Sequence, residues 1–68
     1  MIPIKEYIAQ QFLYNRFHFK CDCIVPLDVI GYVKDYEFSG HEPILIVDAN
    51  GRLLHIGLNT PSLYIERL

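Results

Sequence analysis

Sixty-eight residues, 51% of them hydrophobic and with a formal net charge of −2, fit a single domain, residues 1–68, carrying more apolar surface than one small core can hide. A chain of this size buries only roughly 60% of the surface its unfolded form exposes, so an apolar patch is expected to stay outside and to mark a protein partner or a homo-oligomer. Six scattered Lys and Arg residues argue against phosphate-backbone binding. The first residues lack a signal-peptide pattern and no apolar run approaches the roughly 20 residues of a membrane helix. A cytoplasmic protein with no membrane partner is therefore expected.

In chain order, Pro3 suits the first turn of a helix. Ile4, Ile8 and Phe12 recur every four residues with Tyr7 beside them, which predicts a helix over about 3–14. The period then drops to two. In RFHFKCDCIV, Phe17, Phe19, Cys21, Cys23 and Val25 alternate with Arg16, His18, Lys20 and Asp22, which predicts a half-buried strand over about 16–25. Pro26 should end it.

The next strand is expected over about 28–38. Val29 and Val33 share one face with Gly31 between them, and Ile30, Tyr32, Tyr36 and Phe38 read as the other face, interrupted by Lys34. Gly31 suggests a bulge or a sharp bend, one way in which a small sheet curls toward a barrel. After a polar loop at 39–42 come strands over about 43–48 and 52–59, joined around Asn50-Gly51. Two registers are open. A two-residue type I′ loop pairs Ala49 with Arg52 and turns Leu45 and Val47 inward. A four-residue type I turn with a Gly51 bulge pairs Asp48 with Arg52 and turns Ile44 and Ile46 inward. The second is favoured, because Asp suits the first turn position and opposite charges then face each other. In either register the strand 43–48 is apolar on both faces, so one face must be covered by the helix or by another molecule. Thr60-Pro61-Ser62 is a turn, and 63–67 is a last short strand. The fold class is thus α+β, mostly β: one N-terminal helix and about five antiparallel strands in a curled sheet.

From Asp28 onward the order is a strand with Gly31-Tyr32-Val33, a polar loop, Ile44–Val47, a DxNG turn, Leu53–Leu58, a Pro61 turn and a short closing strand. Residues 28–68 resemble small SH3-like barrels of the KOW and Tudor type. The resemblance implies a barrel-like sheet and a binding role toward protein or, in some members, nucleic acid. It departs from signalling SH3 domains, since there is no Trp and no ALYDY-like run; Asp35-Tyr36-Glu37-Phe38 is a faint echo. Polyproline binding is not implied.

The residues that could carry chemistry are few. Cys21 and Cys23 form a Cys-x-Cys pair that zinc could use with His18, His41 or His55, but zinc sites favour Cys-x₂₋₄-Cys and four ligands. Buried core thiols are the expected state. A disulfide between them is not expected, because alternate strand residues lie about 7 Å apart. His41-Glu42 lacks the second histidine of H-E-x-x-H, and the carboxylates at Asp28, Asp35, Glu37, Glu42 and Asp48 read as solvated surface. No enzyme and no cofactor are expected. The expected function is a small non-enzymatic protein–protein interaction module. The candidate partner-binding residues are Tyr32, Tyr36, Tyr64, Leu45, Val47 and Leu53. One alternative is a nucleic-acid-binding SH3-like barrel using Tyr32, Tyr36 and Tyr64 with Lys34 and Arg52. Another is a metal- or thiol-dependent protein using Cys21 and Cys23.

Overall fold

A computed structural model of the chain describes residues 4–22 and 26–68, with side chains from Tyr7 onward. A helix, α1 (Ile4–Gln10), precedes five strands: β1 (Arg16–Cys21), β2 (Leu27–Ser39), β3 (Glu42–Ala49), β4 (Arg52–Gly57) and β5 (Leu63–Arg67). The strands are antiparallel and form one sheet in the order β4-β3-β2-β1-β5. The sheet is not closed, so β4 and β5 are its edges. Pro3 and the expected end of the first strand, including Cys23 and Val25, lie outside the described residues.

The helix is shorter than its periodicity implies. Phe12 N–H and Leu13 N–H donate three residues back, to Ala9 (3.1 Å) and Gln10 (3.2 Å), which tightens the last turn. Tyr14 then takes a left-handed backbone (φ 64°), and its N–H donates to Val33 C=O at 2.7 Å. Val33 N–H donates in turn to Asn15 C=O at 3.0 Å. The pull of the β2 ladder ends the helix where local propensity would extend it. What helix there is covers the concave side of the sheet. Ala9 is fully buried, Gln10 Nε2 donates to the Tyr36 hydroxyl at 3.2 Å, and the rings of Phe12 and Phe17 lie 5.1 Å apart.

The core sits on that concave side. Phe19, Val33, Leu45 and Val47 are fully buried, with Phe17 and Ile56 nearly so. Alternation delivers them: β3 is buried at every second position along EPILIVDA. Each large apolar side chain so buried contributes about 1.5–3 kcal/mol relative to exposure.

The sheet curls because β2 serves two neighbours in turn. Residues 27–32 pair with β1, and residues 32–39 pair with β3. Between Val33 and Asp35 the register shifts, which leaves Lys34 as the extra residue of a bulge. The bulge is at Lys34, not at Gly31. Gly31 instead makes room for a neighbouring strand, since a Cβ there would stand 2.3 Å from Val47 Cγ1 and 3.2 Å from Asp48 C=O. Only a residue without a side chain lets the end of β3 cross so close over the first half of β2. The bulge also reverses side-chain parity. Asp28, Ile30 and Tyr32 point to the convex side, whereas beyond Lys34 it is Asp35 and Glu37 that do so. Tyr36 and Phe38 therefore face the concave side, contrary to the straight alternation expected of them.

The hairpin takes the other register from the one that charge pairing favours. Ala49 pairs with Arg52, Val47 with Leu54 and Leu45 with Ile56. Asn50 (φ 54°) and Gly51 (φ 83°) are both left-handed, the requirement of a type I′ loop, whose twist matches that of the strands it joins. Asp48 does not pair with Arg52; its Oδ1 accepts the Gly51 N–H at 3.0 Å and braces the loop.

Candidate interaction surface

The convex side of the sheet carries the exposed chemistry. Register places Lys20 between Tyr64 and Asp28, His18 between Glu66 and Ile30, and Tyr32 between Arg16 and Asp48. Asp48 in turn neighbours Leu53. Side chains from all five strands thus share one surface, while α1 packs on the opposite side. Tyr64 (69% exposed), Leu53 (56%), Ile30 (49%) and Tyr32 (40%) all belong to it. Ile44 and Ile46, half-buried, continue it between Glu37 and His55.

Two of its histidines meet carboxylates across the strands. His18 Nε2 and Asp28 Oδ1 are hydrogen-bonded. That bond above all holds the Asp28 carboxyl below its ordinary value of 3.8, with the charges of His18 and Lys20 adding to it and desolvation opposing. His55 Nδ1 lies 3.3 Å from Glu37 Oε1. Exposed pairs of this kind contribute little stability. The basic line Arg16, His18, Lys20 along β1 is flanked by Asp28 and Glu66.

The sequence-derived candidates divide. Tyr32, Tyr64 and Leu53 lie on this convex surface. Tyr36 does not, because the Lys34 bulge turns it inward against Gln10 and edge-on to Phe38, ring centroids 6.0 Å apart. Leu45 and Val47 are at 0% exposure in the core, because the type I′ register turns them inward, and so they are out of a partner's reach. Arg52 shares the parity of Ala49 and Leu54 at the hairpin end, away from Tyr32. The five residues of the nucleic-acid alternative therefore do not form one platform. Sequence reasoning does not single out Ile30 or the His18–Asp28 pair, though the even-numbered spacing from Asp28 to Tyr32 already carries Ile30 beside Tyr32.

Cys21 is buried but disulfide-bonded, which corrects the expectation of a free core thiol; Cys23 lies outside the described residues. A disulfide sulfur carries no proton, so the 3.5 Å approach of Cys21 Sγ to Pro61 C=O is a packing contact and not a donated hydrogen bond. In this form Cys21 offers no thiolate to a metal. A concavity beside it is lined by Cys21, Lys20, Leu27, Asp28 and Tyr64 and opens to solvent. Among the described residues no group of three or more His, Cys, Asp or Glu gathers where a metal ion could sit. No helix among them is long and apolar enough to cross a membrane.

No protein-family model, no curated protein and no solved structure matches the chain.

Proposed function

We propose that the chain is a small, non-enzymatic protein–protein interaction module, built on an open, SH3-like arrangement of strands. One observation carries the functional part: Ile30 and Tyr32 stand exposed on the convex face of β2, with Leu53 beyond Asp48 on one side and Tyr64 beyond Lys20 on the other. An exposed aliphatic–aromatic pair rimmed by charged side chains is the kind of anchor a partner's hot spot packs against. The SH3-like reading is supported by connectivity. β2 bends to serve both β1 and β3, β1 also holds β5, and a turn stands before the closing strand, in which Thr60 Oγ1 donates to Gly57 C=O at 2.7 Å.

Nucleic-acid binding is the second reading. It is favoured by the line of Arg16, His18 and Lys20 between Tyr32 and Tyr64, and weakened by Asp28 and Glu66 on either side of that line. Two measurements separate the readings. Peptides selected from a displayed library, or self-association seen by sedimentation from micromolar to millimolar concentration, are expected for the module and should depend weakly on salt. A strictly monomeric chain that selects no peptide, yet retains mixed-sequence oligonucleotide at low salt, would overturn it.

A further inference from the structure

We propose that β4 is the surface through which a second copy of this chain binds, as an antiparallel β4–β4 pair centred on Leu54. This rests on the interaction-module reading and names its partner.

The backbone groups already in use decide which ones are open. Leu58 N–H donates to Pro43 C=O at 2.9 Å, and hydrogen-bonded and non-bonded pairs alternate along an antiparallel ladder. Ile56, Leu54 and Arg52 therefore bond to β3, and the N–H and C=O groups of Leu53, His55 and Gly57 point away from it. In-chain caps limit this open edge at both ends. Gly57 C=O accepts from Thr60 N–H (3.1 Å) and Thr60 Oγ1 (2.7 Å). At the other end the Gly51 N–H is held by Asp48. Among the described residues nothing pairs the outward backbone groups of Leu53 and His55.

These two residues are self-complementary. With the two-fold axis at Leu54, Leu53 faces His55 of the second copy and His55 faces its Leu53. Both N–H groups and both C=O groups on each side find partners, which makes four hydrogen bonds. The alternative axis at His55 would need Gly57 C=O, which Thr60 already occupies. Leu54 meets its own copy on the concave side, and exposed Leu53 packs beside His55 on the convex side. The edge also lacks the devices that normally keep edges apart: between Arg52 and Gly57 there is no Lys, Arg, Asp or Glu, no proline and no bulge. A free peptide fits this edge poorly, because ordering each residue costs about 1–2 kcal/mol and two open residues return few bonds. A second copy brings a strand that is already ordered. The short pairing implies a weak dimer, populated as concentration rises.

Sedimentation across concentration, combined with hydrogen exchange of the Leu53 and His55 amides, tests this on the full chain. The expected result is a dimer in which both amides become protected as it forms. His55→Pro removes an outward donor that β3 does not use and should raise the dimer dissociation constant at least about tenfold. Leu53→Lys, at an exposed position, should do the same by guarding the edge, and it stands in should the proline variant fail to fold. A dimer that persists in Leu53→Lys with both amides exchanging freely overturns the β4 assignment and leaves the interaction-module reading intact. A strict monomer that nonetheless selects peptides does the same. A monomer that selects none removes both.

Discussion

The two edges of the sheet are built differently. β5 carries Glu66 and Arg67 side by side and is five residues long. β4 runs Leu-Leu-His-Ile between its first and last residues, without a Lys, Arg, Asp or Glu. Behind them the core is also unequal: Ile56 on β4 is 5% exposed, whereas Ile65 on β5 is only partly buried and packs against the core from its margin. One edge is guarded by side chains and shallowly rooted; the other is open and deeply rooted. A rigid, unguarded edge suits pairing, because little order remains to be created when a partner arrives.

That contrast can be broken in four ways. The largest effect is expected from Ile56→Ala, which should lower unfolding stability by about 3 kcal/mol, whereas Ile65→Ala should cost about half as much. Urea melts of both read the difference, and equal losses would erase the claim of unequal rooting. Next is Gly31→Ala. Its Cβ would crowd Val47 Cγ1 and Asp48 C=O, and an overpacked site costs about 2 kcal/mol. The loss should come with a less curled sheet, since the half bearing β4 is held to the half bearing β5 at this crossing. Gly51→Ala forces a side chain into a φ of 83° and should cost about 1 kcal/mol. Its amide-exchange signature should be confined to β3 and β4 and leave β5 unchanged.

The smallest effect is electrostatic. Asp28, on the β5 side of the sheet, is held below its ordinary value of 3.8 by His18. A carboxylate depressed on folding contributes stability that is present above its unfolded value and is lost as pH falls through the folded one. Asp28→Asn should therefore melt slightly below wild type at neutral pH, with the gap closing as pH drops below about 3.8. A gap that stays constant into acid would show that the pair contributes through packing and not through charge.

The strand content, the antiparallel order and the place of the Asn50-Gly51 hairpin are all legible in the residues. Apolar periodicity and turn chemistry are local signals, and here they agree. Two features are not legible. The hairpin register is ambiguous because Ile44-Leu45-Ile46-Val47 offers equal apolar faces, so burial cannot choose between wirings one residue apart. Asp48 then misleads, since its carboxylate satisfies a turn amide in place of a cross-strand arginine. The facing of Tyr36 is hidden by Lys34. Nothing about a lysine announces a bulge, yet one extra residue reverses everything after it. Of the surface residues named from sequence, those before the bulge or on the outward parity of the hairpin and the last strand keep their exposure, and those that depend on the wrong register do not.

A thirteen-residue strand drawn straight would measure roughly 40 Å at the usual rise per residue. The longest principal dimension of the molecule is 35 Å. β2 would outreach the body that contains it if it did not bend. A substitution that straightens β2 should announce itself in a scattering experiment as a longer molecule before any change in secondary-structure content can be seen.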